Sequence, residues 1–230
     1  GVLRSTIVDL VICMPGNADN DAFDVARDIK GKFPNIHCVV LTPFSHGITK
    51  RMQNEDLSIF DYVFCWLGNT NLILSIIKLI EDKMNLEHDI QEAGVQMILL
   101  VEDSIRFYSS ILPNLYNYIL EQSKNFSKEA LNRHAATMRM RGRPKVVLAR
   151  TYEEAQKLYD KYSDNTLGVI SDARFPLKSA AKAFGNVVDE DVQPKHGTDT
   201  FGREKCPDAG LQLFRYIRKN DSFVPLILES

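Results

Sequence analysis

Short β-rich apolar runs alternate with amphipathic helical stretches along this chain, and the alternation begins twice. Residues 8–13, 37–42 and 60–66 are apolar runs, the first two closed by a proline. Between or after them, residues 21–33, 48–54 and 70–84 carry apolar side chains at helical spacing. Residues 85–94 are polar and read as a linker. The pattern then restarts, with strands over 95–101, 145–149 and 166–171 and a last one over 224–229. Helices are expected over 103–121, 127–140, 151–162, with Thr151 as N-cap, and 209–219. A long polar loop covers 178–207. Strand and helix in strict alternation build a parallel sheet with helices on both faces. The expected fold is therefore α/β, with flavodoxin-like doubly wound parallel sheets and boundaries at 1–84, 85–94 and 95–230.

Composition narrows the function classes. The 230 residues include 28 Lys and Arg against 30 Asp and Glu, for a net charge of −2, so no broad basic field grips nucleic acid. Apolar residues make up 44 %, too many for general disorder. No apolar run reaches the roughly 18 residues that cross a bilayer, so no membrane partner is expected. Four scattered cysteines (Cys13, Cys38, Cys65, Cys206) form no Cys-x-x-Cys pair and read as reduced thiols of a cytoplasmic protein. The chain opens at Gly1 and runs straight into Val2-Leu3, which suggests a segment of something longer.

The acidic residues of the second half carry the chemistry. Glu102 and Asp103 directly follow its first strand, and Asp172 directly follows its third. In a doubly wound sheet the first and third strands can be neighbours, and ligands bind beyond their carboxyl ends. Three carboxylates converging there repel one another unless a cation neutralises them. Hard oxygen ligands suit Mg²⁺. A metal-held carboxylate poised for attack on a phosphoryl group is the simplest chemistry for the set. The plainer readings are Asp172 capping a turn and Glu102 or Asp103 capping the following helix.

These residues resemble a response-regulator receiver domain. Ile98-Leu-Leu-Val-Glu-Asp103 is similar to that family's first strand and acidic pair, and Leu167-Gly-Val-Ile-Ser-Asp-Ala-Arg-Phe-Pro176 to its phosphoacceptor strand. Asp208-Ala-Gly-Leu-Gln-Leu-Phe-Arg-Tyr-Ile-Arg218 looks like the helix that follows, and Pro225-Leu-Ile-Leu-Glu-Ser230 like the fourth strand. The resemblance implies Asp172 as phosphoacceptor, Glu102, Asp103 and Asp172 as Mg²⁺ ligands, and Ser230 as the switch hydroxyl. It also implies a histidine kinase or a small phosphodonor as partner, an attached or partner output domain, and the option of a homodimer. Enzymatic activity beyond self-phosphorylation and dephosphorylation is left open.

The first half resembles the back portion of another receiver, through Val8-Asp-Leu-Val-Ile-Cys-Met-Pro-Gly16, Cys38-Val-Val-Leu-Thr42 and Phe60-Asp-Tyr-Val-Phe-Cys-Trp66. Its acceptor position falls on Met14 or Val11 and its Lys position on Cys65, so this copy is silent. Both copies are incomplete: the first lacks its opening strands, and the second stops before a fifth strand with its Lys. Insertions at 122–144 and 178–207 also depart from the family. The tandem resembles the receiver-like front end of bacterial phosphoenolpyruvate synthase/pyruvate phosphate dikinase-related proteins. The competing reading follows from that: a pseudo-receiver without phosphorylation, docking or regulating a larger enzyme. Arg141-Gly-Arg-Pro-Lys145 is similar to a minor-groove hook, but one copy on a near-neutral chain makes nucleic acid an improbable partner. His196 and Cys206 make a poor metal pair, and Trp66 with the aromatics around Phe60 is core or partner-facing.

Overall fold

The structure, a computed structural model, describes residues 7–15, 22–43, 59–178 and 204–229. The expected helix over 48–54 and most of the 178–207 insertion lie outside the described residues. So does Ser230. Among the described residues the chain is α/β with parallel sheets, compatible with a flavodoxin-like arrangement, and it divides into two units. One holds residues up to 69 together with 104–109; the other holds 70–103, 110–178 and 204–229.

In the first unit β1 (Leu10–Cys13), β2 (His37–Pro43) and β3 (Tyr62–Trp66) lie side by side in that order, all parallel. β2 is the middle strand, and Cys38 to Leu41 are buried in an unbroken run. A strand covered on both faces needs such a run rather than an alternation. Helix α1 (Ala22–Lys32) turns Phe23, Ala26 and Ile29 inward, and Phe23 meets Phe60 edge-on at 5.5 Å. Residues 104–109, where helix α3 (Ile105–Lys128) begins, add the buried Tyr108, edge-on to Phe64 at 5.4 Å.

Asp61 closes the amino-terminal edge of this sheet. Its Oδ2 accepts hydrogen bonds from Lys30 Nζ and from the Cys38 backbone N–H, both at 2.9 Å, and His37 Nδ1 lies 3.0 Å from Oδ1. Burial pushes this carboxyl up, but the bonds from Lys30, Cys38 and His37 outweigh it and hold the pKa at about 2. A carboxyl whose folded pKa lies below its unfolded value stabilises the fold above the unfolded pKa, and that stability is lost as pH falls through the folded one. The drop from 3.8 to about 2 corresponds to about 2 kcal/mol for a side chain that is only 16 % exposed. Denaturant unfolding followed by the fluorescence of Trp66, the only tryptophan, should lose that much stability between pH 4 and pH 2. Asp61→Asn should flatten the slope; an unchanged slope in the variant would contradict the assignment.

The second unit is a four-stranded parallel sheet in the order β5-β4-β6-β9, built from β4 (Met97–Val101), β5 (Lys145–Ala149), β6 (Thr166–Asp172) and β9 (Leu226–Glu229). Counted within this unit the order is 2-1-3-4, with the topological switch between β4 and β6. Met97, Leu99 and Val101 pack with Val147, Ala149 and Val169 against Ala155 and Tyr159 of α5 (Tyr152–Tyr162) and Leu213 and Ile217 of α6 (Ala209–Asn220). The Thr151 side chain caps α5, accepting from Glu154 N at 3.2 Å.

Residues 85–94 are not a linker. They continue α2, which runs unbroken over Asn71–Ala93 and ends at Gly94, whose φ of 59° lets it close the helix with bonds to Asp89 O and Ile90 O. The polar surface of this stretch hides Leu86 in the core and Ile90 packed against it, four residues apart on one helix face. The compact units accordingly part near residue 70 rather than at 84. Helix α3 (Ile105–Lys128) likewise outruns its expected end at 121, and α4 (Arg133–Arg141) follows, capped by Asn132. No helix among the described residues is long and apolar enough to cross a membrane. All four cysteines are free thiols.

Two cations of the basic stretch leading into β5 are spent inside the fold. Arg143 is 5 % exposed and grips the fully buried Asp82 of α2 with two bonds, at 2.7 and 3.0 Å. Lys145, equally buried, pairs with Asp89 at 2.7 Å. Neither cation is presented to a phosphate backbone.

Candidate metal centre

The parallel ladder aligns Val101 with Ser171, so the next residues, Glu102 just beyond β4 and Asp172 at the end of β6, stand at the same rim. Carboxylate oxygens from Glu102, Asp103 and Asp172 all lie within 4.8 Å of one another. Glu102 and Asp103 are buried and Asp172 is half-buried. The three acidic residues singled out from the sequence are therefore brought together.

Local bonds tie down two of them. Glu102 N donates to Ala149 O at 3.0 Å, tying the end of β4 to the end of β5. One oxygen of Asp172 accepts from Ala173 N at 2.6 Å. At the start of helix α3 the Oγ of Ser104 accepts from the N–H of Phe107 at 3.4 Å.

Two residues at this rim carry no sequence signal of a site. Lys205, from the insertion, lies on the two-residue strand β8 (Lys205–Cys206), paired antiparallel with β7 (Phe175–Pro176). Its Nζ stands 2.9 Å from Asp103 Oδ2 and 3.3 Å from Oδ1. Burial pulls the Lys205 pKa down, but Asp103, with Asp172 and Glu102 behind it, more than offsets this and holds it above the ordinary lysine value. Gly210, in the first turn of α6, presses its backbone against the carbonyl of Asp172 and donates its N–H to Ala173 O at 3.1 Å.

The donor set suits a hard divalent ion: three carboxylates, no thiolate and no imidazole. Mg²⁺ commonly takes one or two carboxylates and keeps several waters, which a half-buried rim admits. Comparison of the chain with protein-family models, with curated proteins and with solved structures returns no match.

Proposed function

We propose that the second unit is a receiver-type phosphoacceptor, in which Asp172 takes a phosphoryl group while Glu102, Asp103 and Asp172 hold Mg²⁺. The observation that carries this reading is the meeting of the three carboxylates at the β4/β6 switch point, where an open α/β sheet binds its ligands. A bound divalent cation would neutralise charge developing on the transferred oxygens. The chain's own part is the attack: an Asp172 carboxylate oxygen forms the new O–P bond as the donor's bond to phosphorus breaks, and the donor leaves with that electron pair. The product is an acyl phosphate at the rim. Its added charge biases the surrounding surface towards a partner or an attached output domain. A switch role for Ser230 belongs to the same proposal.

The first unit supports a silent copy. Its parallel order β1-β2-β3 suits the last three strands of the same topology, while Met14, Val11 and Cys65 offer no acceptor and no cation.

Lys205 favours a second reading. An ammonium already paired with Asp103 compensates the acids without a metal, as a pseudo-receiver serving as the docking or regulatory module of a larger phosphoenolpyruvate synthase-like enzyme would need. One experiment separates the two. Incubation with Mg²⁺ and acetyl phosphate should add a single phosphate to the intact protein, and Asp172→Asn should abolish the gain. An unchanged wild-type mass would leave the docking reading.

A further inference from the structure

Lys205 reaches the acidic rim on a short, well-anchored tether. β7 begins three residues beyond Asp172, its Phe175 is fully buried, and Pro176 stands opposite Lys205 in the β7–β8 ladder. The ammonium faces both oxygens of Asp103, at 2.9 and 3.3 Å. A metal ion held by this carboxylate needs at least one of those oxygens, and two cations a few ångströms apart repel. The Asp103 side chain is fully buried, whereas that of Lys205 is 23 % exposed and has a route to water without disturbing the core.

We propose that Lys205 is a tethered counter-cation that exchanges with a divalent metal ion at Asp103, so that metal loading releases β8 from the rim. The inference rests on the metal-binding reading above and adds its regulation. Three ionised carboxylates sum to −3; Lys205 leaves −2, and a divalent ion in its place leaves −1. The exchange therefore proceeds towards balance, and the placement of β8 is coupled to whether the site is loaded.

The test uses the full chain and Mn²⁺ alone as probe, with free ion counted by electron paramagnetic resonance. Lys205→Met should bind Mn²⁺ about tenfold more tightly than wild type or better, because a competing positive charge has gone. Lys205→Arg, which keeps the charge, should stay near wild type. Equal affinity in wild type and Lys205→Met would overturn the exchange and leave the metal site standing. No binding by either protein would overturn the metal site itself, and the exchange with it. Should Lys205→Met fail to fold, wild-type protein suffices. Limited reductive methylation with isotope-labelled formaldehyde should mark Lys205 more heavily once Mg²⁺ is added, and unchanged or reduced labelling would overturn the exchange.

Discussion

Asp82→Ala should cost the second unit about 3–5 kcal/mol, the usual toll for removing one partner of a buried ion pair. Asp82 is fully buried and accepts four hydrogen bonds: two from Arg143, one from Tyr116 Oη at 3.0 Å and one from the Val146 N–H at 3.0 Å. It thus joins α2, α3 and the start of β5 through a single carboxylate. Burial works against the Arg143 charge, but Asp82 outweighs it and holds the guanidinium pKa above its ordinary value. Without Asp82, the nearest remaining carboxylate oxygen to Arg143 is that of Glu81, 3.9 Å away, and a tyrosine hydroxyl and a backbone N–H lose their acceptor. Buried groups left in that state incur their full desolvation cost. Urea unfolding followed by circular dichroism should show the loss, while Asp82→Asn, which keeps an acceptor, should cost less. A loss below about 1 kcal/mol in Asp82→Ala would remove this cluster from any central part in stability.

Gly210→Ala should impair the acidic site without touching any of its carboxylates. A methyl group at Gly210 would sit inside van der Waals range of the Asp172 carbonyl oxygen and 2.8 Å from Leu228 Cδ1. The first obstacle is backbone, which cannot swing aside as a side chain can. Either α6 tilts away from the sheet or the end of β6 moves, and Asp172 moves with it. Overpacking of this kind costs about 1–3 kcal/mol. The expected result is a stability loss of that size together with Mg²⁺ binding at least about tenfold weaker than wild type, since a ligand displaced by an ångström no longer meets its partners. Stability lost with metal affinity intact would mean that α6, not Asp172, yields. Ala at 209 is already present and buried, so the effect is specific to the next position.

The strands of both sheets and the meeting of Glu102, Asp103 and Asp172 were legible in the sequence for one reason. Buried parallel strands are continuous apolar runs, and the first polar residues after them mark the rim. Three features were not legible. The end of α2 looked polar because Leu86 and Ile90 are isolated among charges, and only Gly94 signals the stop. Lys205 sits in a long polar insertion, where no period distinguishes a cation aimed at the site from one in water. Its role depends on a two-residue ladder with Phe175 and Pro176 far back in the chain. Arg143 and Lys145 read as an exposed basic turn because their partners, Asp82 and Asp89, lie about sixty residues earlier on a helix face. Local pattern reports periodicity; it is blind to ion pairs across such distances.

The acids are carried at strand termini, and this bears on what can change around them. Neighbouring strands stand about 4.8 Å apart because backbone hydrogen bonds set that spacing. The gap between Glu102 and Asp172 is inherited from the β4–β6 ladder, not negotiated by flexible connections. Lengthening, shortening or rewriting the segments above the rim would alter which molecules arrive there. The spread of the oxygens would stay as the sheet dictates, so selectivity can drift while the cage keeps its dimensions.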